Sequence, residues 1–299
     1  MSPCRLVSVL FPLAAAVFSH AQEQPVHELK LHWEPGQFYL QETDTETTTS
    51  LTALGQKHDQ TLRMRQTTSI RVSAASDQTR EVKVTIDSLK GELLQDGLLN
   101  PFDAARIEEA LPVLQKSVGH AAGKTFTMVY DPQDQFQNVR DIGSLLKPGQ
   151  DEPDLNQIAD AKQVATLYRR SLELGLPKIA VRPGDKWISD ETMSFPEAGP
   201  VQVRLHAKFE SIEERGGRPQ ARISFQGSME TQKDTGTKRS ITLGPDSKLS
   251  GHVLFDLERR TVSLSFLLGE LNLGVNGKKL PVRQQVTTRL VAMRAAGGQ

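Results

Sequence analysis

The chain lacks most of the features by which a sequence identifies an enzyme, a membrane protein or a nucleic-acid-binding protein. It has a single cysteine, Cys4, and aromatic residues make up only 5% of its 299 residues. Its 36 Lys and Arg residues balance 36 Asp and Glu residues. A chain without net charge has no global field that attracts nucleic acid or an anionic membrane, so we expect neither partner. No cofactor motif is present, and we expect no cofactor.

Long hydrophobic runs are also missing, apart from an apolar stretch at residues 6–18. This stretch is shorter than the roughly 20 residues that a transmembrane helix needs. Arg5 precedes it, and Ser19 and Ala21 occupy the −3 and −1 positions of a cleavage site before Gln22. The sequence therefore predicts a secretory signal peptide at residues 1–21 and export to the periplasm or the extracellular space, with no transmembrane segment.

Removal of this signal peptide would also remove the cysteine. Cys4 precedes the apolar stretch, whereas the lipid-modified cysteine of a lipoprotein follows it. The mature chain is therefore expected to have no lipid anchor, no disulfide and no thiol chemistry, so its stability must come from a packed core.

The dominant pattern in the rest of the chain is a two-residue alternation of apolar and polar side chains. It is clear in Val82, Val84 and Ile86, and again in Ala221 to Phe225. Such alternation is typical of antiparallel strands that bury one face. Strands of the expected length favour curved sheets, because long flat sheets expose their edges. We therefore predict a mostly β (α+β) fold of two similar curved antiparallel sheets or half-barrels joined by a helix.

A Pro-Gly turn occurs twice, as Pro35-Gly36 and as Pro183-Gly184. In each copy an aromatic residue follows three positions after the glycine, Tyr39 in one and Trp187 in the other. The order of strands and turns that follows is also similar in both halves, which predicts an internal repeat. The alternative is that a β-rich chain simply reuses Pro-Gly turns, because proline presets φ and glycine accepts positive φ.

These patterns divide the chain into three parts after the signal peptide. Residues 22–150 form the first β unit, with a helical insertion near residues 100–118. Residues 151–177 form a linker helix, and residues 178–299 form the second β unit. The helix of the insertion is expected to lie against the first sheet.

Helix-capping residues set the expected ends of the two helices. Asn100 is suited to cap the first helix, Pro101 to occupy its first position, and Pro112 to kink or split it. Asp154 is suited to cap the linker helix, and Gly175 to close it.

The two turns and the exported N-terminus together resemble a known family. Residues 183–187 read Pro-Gly-Asp-Lys-Trp, residues 35–39 read Pro-Gly-x-x-Tyr, and Thr-rich strands lie between them. This combination resembles an uncharacterised family of exported bacterial proteins known as a domain of unknown function. The likeness spans most of the mature chain, although Gln37 stands where the second copy has Asp185. It implies an envelope or extracellular location and no catalytic residues.

Motifs that suggest catalysis are incomplete. Residues 119–125 resemble a phosphate-binding loop, but Val118 stands where its first glycine belongs and a strand follows. Ser144 and Lys147 match the Ser-x-x-Lys of penicillin-interacting enzymes, but a Pro-Gly pair follows at once and the partner motifs are missing. The histidines are scattered singly, without the close spacing of metal ligands. We therefore expect a non-enzymatic protein with no catalytic, metal or cofactor site.

The preferred hypothesis is that a curved sheet binds a hydrophobic, lipid-like ligand in a β cup. Gln66 and Thr68 interrupt an otherwise apolar strand face and suggest an incompletely filled interior. The residues predicted to line the ligand are Phe126, Met128, Val84, Ile86, Leu111, Leu114 and Trp187. The alternative for these residues is that they only fill a core.

Two other classes of function stay open. One is a structural or protein-interaction module of the cell envelope, which would pair with its partner through an exposed strand at the Thr-rich segment 43–50. The other is a hydrolase whose site residues are dispersed along the chain.

Overall fold

The computed structural model describes residues 25–52, 55, 58–75, 77–118, 121–141, 168–195, 199–232, 241–275 and 277–295. The strands of the N-terminal half are β1 (Gln37–Thr49), β2 (Gln60–Ala74), β3 (Arg80–Gln95), β4 (Leu98–Asp103), β5 (Thr125–Tyr130) and β6 (Phe136–Arg140). The strands of the C-terminal half are β7 (Lys186–Phe195), β8 (Gly199–Arg215), β9 (Arg218–Thr231), β10 (Ile241–Leu243), β11 (Ser247–Asp256), β12 (Thr261–Val275) and β13 (Lys278–Ala295). The predicted mostly β fold is confirmed.

All of these strands belong to one antiparallel sheet. Its order is β6-β5-β3-β2-β1-β13-β12-β11-β9-β8-β7, while β4 pairs with β3 and β10 pairs with β12. The sheet is open, because β6 and β7 end this order and do not pair with each other. No helix among the described residues is both long and apolar enough to cross a membrane.

The two halves of the chain meet in the middle of this sheet, where β1 pairs with β13 from Gln37↔Ala295 to Thr49↔Val282. Separate half-barrels are therefore not confirmed. The prediction that segment 43–50 lies at an edge is wrong, because β1 has β2 on its other side. Pairing with the last strand satisfies the backbone groups that an edge position would have left exposed.

One face of the sheet, which we call the inner face, carries most of the core. It includes Tyr39 on β1, Ile70 on β2 and Val84 on β3, which are cross-strand neighbours. All three side chains are buried. Because side chains alternate along a strand, the intervening residues lie on the opposite, outer face.

The central core joins the inner faces of both halves. Its largest buried side chains include Tyr39, Tyr130 and Phe126 from the N-terminal half and Phe209, Phe255 and Ile223 from the C-terminal half. Strands that lie far apart in the sheet order thus contribute to one cluster. The sheet therefore curls around a common interior.

Two non-strand segments fill this interior. Leu29, Leu31 and Trp33 are buried in the central core, and the Trp33 ring lies 5.4 Å from the Tyr39 ring with edge-to-face geometry. The second segment begins with helical residues 168–173, the described end of the predicted linker helix. Residues 151–167 of the predicted linker helix lie outside the described residues, and Gly175 follows the helical residues with φ of +78°, as a closing glycine does.

The predicted insertion is helical but begins later than expected. Residues Ala104–Glu109 form a 3₁₀ helix, and Pro112–Val118 form helix α1. Pro112 therefore splits the insertion, as predicted. Capping by Asn100 is wrong, because β4 continues to Asp103, whose carboxylate accepts a hydrogen bond of 3.0 Å from the Ala105 N–H.

Helix α1 packs on the inner face of the N-terminal half, as predicted. It contributes to a second cluster, the lateral core, which is separate from the central core. The lateral core consists of Leu89, Leu93, Phe102, Ala104, Leu114 and Val118.

The two Pro-Gly turns have matching backbone geometry. Gly36 and Gly184 have φ of +81° and +95°, which glycine adopts without a steric penalty. The Gly36 N–H donates to the Val72 carbonyl at 2.8 Å, and the Gly184 N–H donates to the Phe209 carbonyl at 2.7 Å. Each turn thus ties the start of one long strand to the C-terminal half of the next.

Glycines on the inner face allow the sheet to curl tightly. A Cβ atom built on Gly91, Gly227 or Gly251 would lie well within 3.0 Å of a carbonyl oxygen on a neighbouring strand. No other residue fits such a close approach of two backbones. These glycines fix the curvature that brings the two halves around one core.

Candidate functional site

The candidate site is a polar part of the inner face, located on the three central strands β2, β1 and β13; its residues are half-buried, except for Gln41 and Thr68, which are buried. Thr43 on β1 lies opposite Gln66 on β2 and Thr288 on β13, so these three side chains share one face. We call the whole set the central stripe. It consists of Gln41, Thr43, Thr45, Thr47, Gln66, Thr68, Gln284 and Thr288.

Hydrogen bonds within the sheet satisfy many of the polar groups in this stripe. The hydroxyls of Thr43 and Thr288 are 3.0 Å apart. The Gln284 amide donates to the Thr47 hydroxyl at 3.2 Å. At the other end, the Tyr168 hydroxyl donates to the Gln41 side-chain oxygen at 2.9 Å. The stripe is therefore a preformed surface of methyl, hydroxyl and amide groups that costs little to desolvate.

The central stripe carries no charge, because every charged residue of β1 and β2 lies on the outer face. There, Arg65 donates to the Asp44 carboxylate at 2.6 Å and Arg289 donates to it at 2.8 Å. These two guanidinium groups, Arg65 foremost, lower the pKa of Asp44. The charges of the central strands thus neutralise one another on the face away from the stripe.

Apolar side chains border the central stripe on both sides. Leu62 and Met64 on β2 are half-buried and pack against the lateral core. On the other side, Leu267 on β12 packs against the central core and lies opposite Val286 on β13. Thr45 lies between Met64 and Val286 in the register. The stripe and its borders form a neutral amphipathic surface that suits contact with a hydrocarbon chain and a polar group attached to it.

Three of the predicted ligand-lining residues are buried in the central core instead of lining this surface. Phe126, Met128 and Val84 are fully covered, and the Phe126 ring lies 5.6 Å from the Tyr168 ring. Ile86 is half-buried opposite Thr68, at the edge of the stripe.

The other predicted lining residues are dispersed. Leu114 belongs to the lateral core, whereas Leu111 is exposed between the 3₁₀ helix and α1. Trp187 lies on β7 and packs against the central core. The structure therefore does not gather the seven residues into one lining.

Sequence reasoning recognised part of the central stripe and missed the rest. It placed Gln66 and Thr68 on the inward, otherwise apolar face of one strand, and the register confirms that they share the inner face with Leu62 and Met64. It did not include the threonines of β1. Their inward orientation is visible in the alternation of Thr with Glu and Asp along residues 42–47.

The residues considered for chemistry do not form a reactive site where the structure describes them. Thr125 begins β5, whereas His120, Ser144 and Lys147 lie outside the described residues. In the described part of the chain, no three His, Cys, Asp or Glu side chains are grouped so that they could hold a metal ion. The His32 ring bonds to the Asp134 carboxylate at 2.8 Å and thereby fixes a turn to the N-terminal segment.

Open grooves lie on the outer face of the C-terminal half in the described part of the chain. One, of about 570 Å³, lies beside Lys248 and Glu270. Two others, of about 670 Å³ and 490 Å³, share His206, Gln226 and Ser250. Charged side chains line these grooves, and one of these, Lys208, pairs with Glu210. These charged groups make the grooves less suited to an apolar ligand than the uncharged borders of the central stripe.

No protein-family model and no curated protein sequence matches the chain. Among solved structures, the chain is similar to one described as "lipid-protein interactions in lipovitellin", with a TM-score of 0.51 and 7% identity over 90% of this chain and 26% of that chain. This chain thus spans about a quarter of that protein's length. The Pseudomonas aeruginosa MucA/MucB complex aligns with a TM-score of 0.10 at 9% identity over 87% of this chain and 94% of that one. The likeness to lipovitellin shows a shared large β-sheet fold.

Proposed function

We propose that this protein is an exported, non-enzymatic carrier that binds a hydrophobic, lipid-like ligand against the central stripe. The observation that carries this proposal is the change along the inner face of β1. Near the Pro-Gly turn, Tyr39 is buried in the central core; farther along, Thr43, Thr45 and Thr47 are half-buried and neutral. A face that served only as a core would be apolar along its whole length.

The composition of this surface fits an amphipathic ligand. An alkyl chain that lies along Leu62, Met64, Val286 and Leu267 gains about 0.8 kcal/mol for each CH₂ group that leaves water. The hydroxyl and amide groups of the stripe offer hydrogen bonds to an ester or a neutral headgroup. A charged ligand group would find no counter-ion on the inner face of β1 or β2. The expected ligand is therefore a neutral or zwitterionic lipid.

The comparison with lipovitellin supports the same class of ligand, since the description of that structure names lipid. The signal-peptide pattern at residues 1–21 supports export, and the curled sheet supports the β cup that the sequence suggested.

A matched pair of neighbouring substitutions tests the proposal. Thr288 and Thr287 are consecutive and both half-buried, but they lie on opposite faces of β13. Thr288→Lys adds a charge to the central stripe, whereas Thr287→Lys adds the same charge opposite Asp44 on the outer face. We expect Thr288→Lys to weaken the binding of a fluorescent phosphatidylcholine at least tenfold, because burying an unpaired ammonium beside an alkyl chain costs more than about 1.4 kcal/mol.

The control variant Thr287→Lys should bind the probe as the wild-type protein does. Equal loss in both variants, or no loss in either, contradicts the location of the site. Native mass spectrometry of the protein from its own host provides a second test. An extra mass of lipid size that disappears on denaturation supports a carrier, whereas a bare chain argues against a tightly held ligand.

The alternative function is an interaction module whose exposed edge strand pairs with a strand of a partner protein. Segment 43–50 on β1 was expected to be that edge strand, but β1 lies in the middle of the sheet. Of the two strands that end the sheet order, β6 and β7, β7 is the longer, and its Ile188 side chain is exposed. However, Arg170 already donates to the Thr192 carbonyl of this strand. That contact leaves less of the edge free for a partner, so the carrier is the better supported function.

A further inference from the structure

The β3–β4 hairpin ends in a tight turn surrounded by exposed leucines. Asp96 and Gly97 form the turn with φ of +52° and +77°. The exposed fractions of Leu94, Leu98 and Leu99 are 36%, 69% and 56%. We call these three leucines the hairpin tip.

The hairpin tip is apolar on both faces of the sheet. Leu94 and Leu99 lie opposite each other and share the outer face. Leu98 shares the inner face with Phe102, a member of the lateral core. A protein partner usually covers one face of a strand pair, whereas a lipid layer surrounds whatever enters it. Apolar groups on both faces therefore favour a lipid surface as the occupant.

The backbone of the tip is well prepared for an environment without water. Strand pairing extends to the residues next to the turn, at Gln95↔Leu98. The Asn100 side chain also donates to the carbonyls of Leu93 and Leu98 at 3.2 Å and 3.3 Å. Polar backbone groups that are already bonded cost little to move into lipid, whereas free ones cost several kcal/mol each.

The charges around the tip indicate which lipid surface it suits. Asp96 is the only charged residue between Leu93 and Phe102, and no Lys or Arg occurs there. Binding to an anionic surface normally relies on clusters of Lys and Arg. The tip is therefore suited to a zwitterionic surface.

We propose that the hairpin tip inserts into a zwitterionic lipid layer and docks the protein there for exchange of its ligand. This inference rests on the proposed function, since it names the source or destination of the lipid. Inner-face apolar residues connect the tip to the candidate site. From Leu98, the path passes Phe102 and Leu93 in the lateral core and reaches Leu62 beside the central stripe.

The test is flotation of the full chain with phosphatidylcholine vesicles. Leu98→Ser combined with Leu99→Ser should lower the partition constant of the protein onto vesicles about tenfold or more. The double substitution removes two apolar side chains that would leave water on insertion. The matched control combines Ile179→Ser with Ile188→Ser, whose side chains are 69% and 61% exposed outside the tip. This control should bind vesicles like the wild-type protein.

A second variant keeps the test independent of folding effects. Leu98→Trp retains an apolar tip, and its added fluorescence should shift to shorter wavelength when vesicles are present. The proposal is overturned if the wild-type protein does not float with vesicles, or if the double serine variant of the tip floats like the double serine control. It is also overturned if the Leu98→Trp emission does not change. Binding of soluble phosphatidylcholine probe by the tip variant tests the proposed function separately. Loss of flotation with retained probe binding is the expected result, and absence of probe binding in the wild-type protein contradicts the carrier function alone.

Discussion

Replacing Gly251 with alanine tests whether inner-face glycines set the curl of the sheet. Gly251 lies on β11 opposite Phe225 on β9 and Leu267 on β12. A Cβ atom at this position would lie 2.7 Å from the Phe225 ring and still closer to the backbone oxygen of Phe266. The aromatic ring has some freedom to rotate, but the carbonyl oxygen is held in the sheet.

The expected cost follows from the distance that the backbone must move. Ordinary contacts between carbon and a carbonyl oxygen are about 3.3–3.6 Å long, so β11 and β12 must shift by roughly 1 Å at this point. Overpacking of this kind costs about 1–3 kcal/mol. Because the obstacle is backbone, we expect Gly251→Ala to lie in the upper half of that range. The gain of about 0.4–1 kcal/mol from a stiffer unfolded chain offsets only part of this cost.

Denaturant unfolding followed by circular dichroism measures this cost directly. Gly269→Ala is the matched control, since Gly269 lies on the neighbouring strand and its nearest atom would be a Leu249 methyl at an ordinary 3.5 Å. We expect the unfolding midpoint of Gly251→Ala to fall by an amount that corresponds to about 2 kcal/mol, whereas the midpoint of Gly269→Ala stays the same or rises slightly. Equal midpoints for the two variants would refute the argument that close backbone approach at Gly251 fixes the curl.

Two further predictions concern stability. The three tyrosines of the chain are Tyr39, Tyr130 and Tyr168. Burial raises the pKa of all three phenols, that of Tyr39 to about 12, so the folded protein favours their neutral form. The free energy of unfolding should therefore be unaffected by these groups below about pH 10, the pKa of a free tyrosine, and fall above it. An ultraviolet titration should detect phenolate only as the protein unfolds. Phenolate at pH 10 in folded protein contradicts this expectation. Leu114→Ala should lower the free energy of unfolding by about 2–4 kcal/mol, because it leaves a cavity in the lateral core. Leu111 is exposed, so Leu111→Ala should lower it much less. Similar losses for the two variants in unfolding experiments would contradict the assignment of Leu114 to that core.

The faces of the strands were predictable from sequence because side-chain direction depends only on local alternation. Leu62, Met64, Ile70 and Val72 share the inner face, as their spacing indicates. Ile86 shows the limit of this reasoning. It follows Val82 and Val84 in the same alternation, but the next residues form a bulge opposite Thr67 and Thr68, and Ile86 is only half-buried.

Which inward residues are covered was not predictable, because cover comes from distant parts of the chain. Phe126 and Met128 were expected to line a ligand, yet Phe126 packs against Tyr168, which follows 42 positions later in the sequence. Nothing in the local pattern of β5 indicates this contact. The same reasoning explains why the central stripe was only partly recognised, since local alternation does not show that Thr43, Thr45 and Thr47 are only half-buried where the structure describes the chain.

Pairing partners were equally hidden from local sequence. The Thr-rich β1 has the weakly apolar character of an edge strand, and the edge prediction followed from that character. Its central position depends on β13, whose Thr288 bonds to Thr43 across 245 residues of sequence. Matching threonines on both strands then make a polar ladder that is stable inside the sheet.

The pairing of β1 with β13 has a consequence for the time course of folding. Gln37 and Ala295 are partners although they lie near opposite ends of the chain, and proteins dominated by such distant contacts fold slowly. Until the last strand has been synthesised, both β1 and β12 retain an unpaired edge on which another chain can aggregate. Export across a membrane, as proposed above, would leave these edges exposed for longer. Strand β13 therefore closes the gap between β1 and β12, and a chaperone that holds the chain until β13 has been synthesised would raise the yield of the native protein.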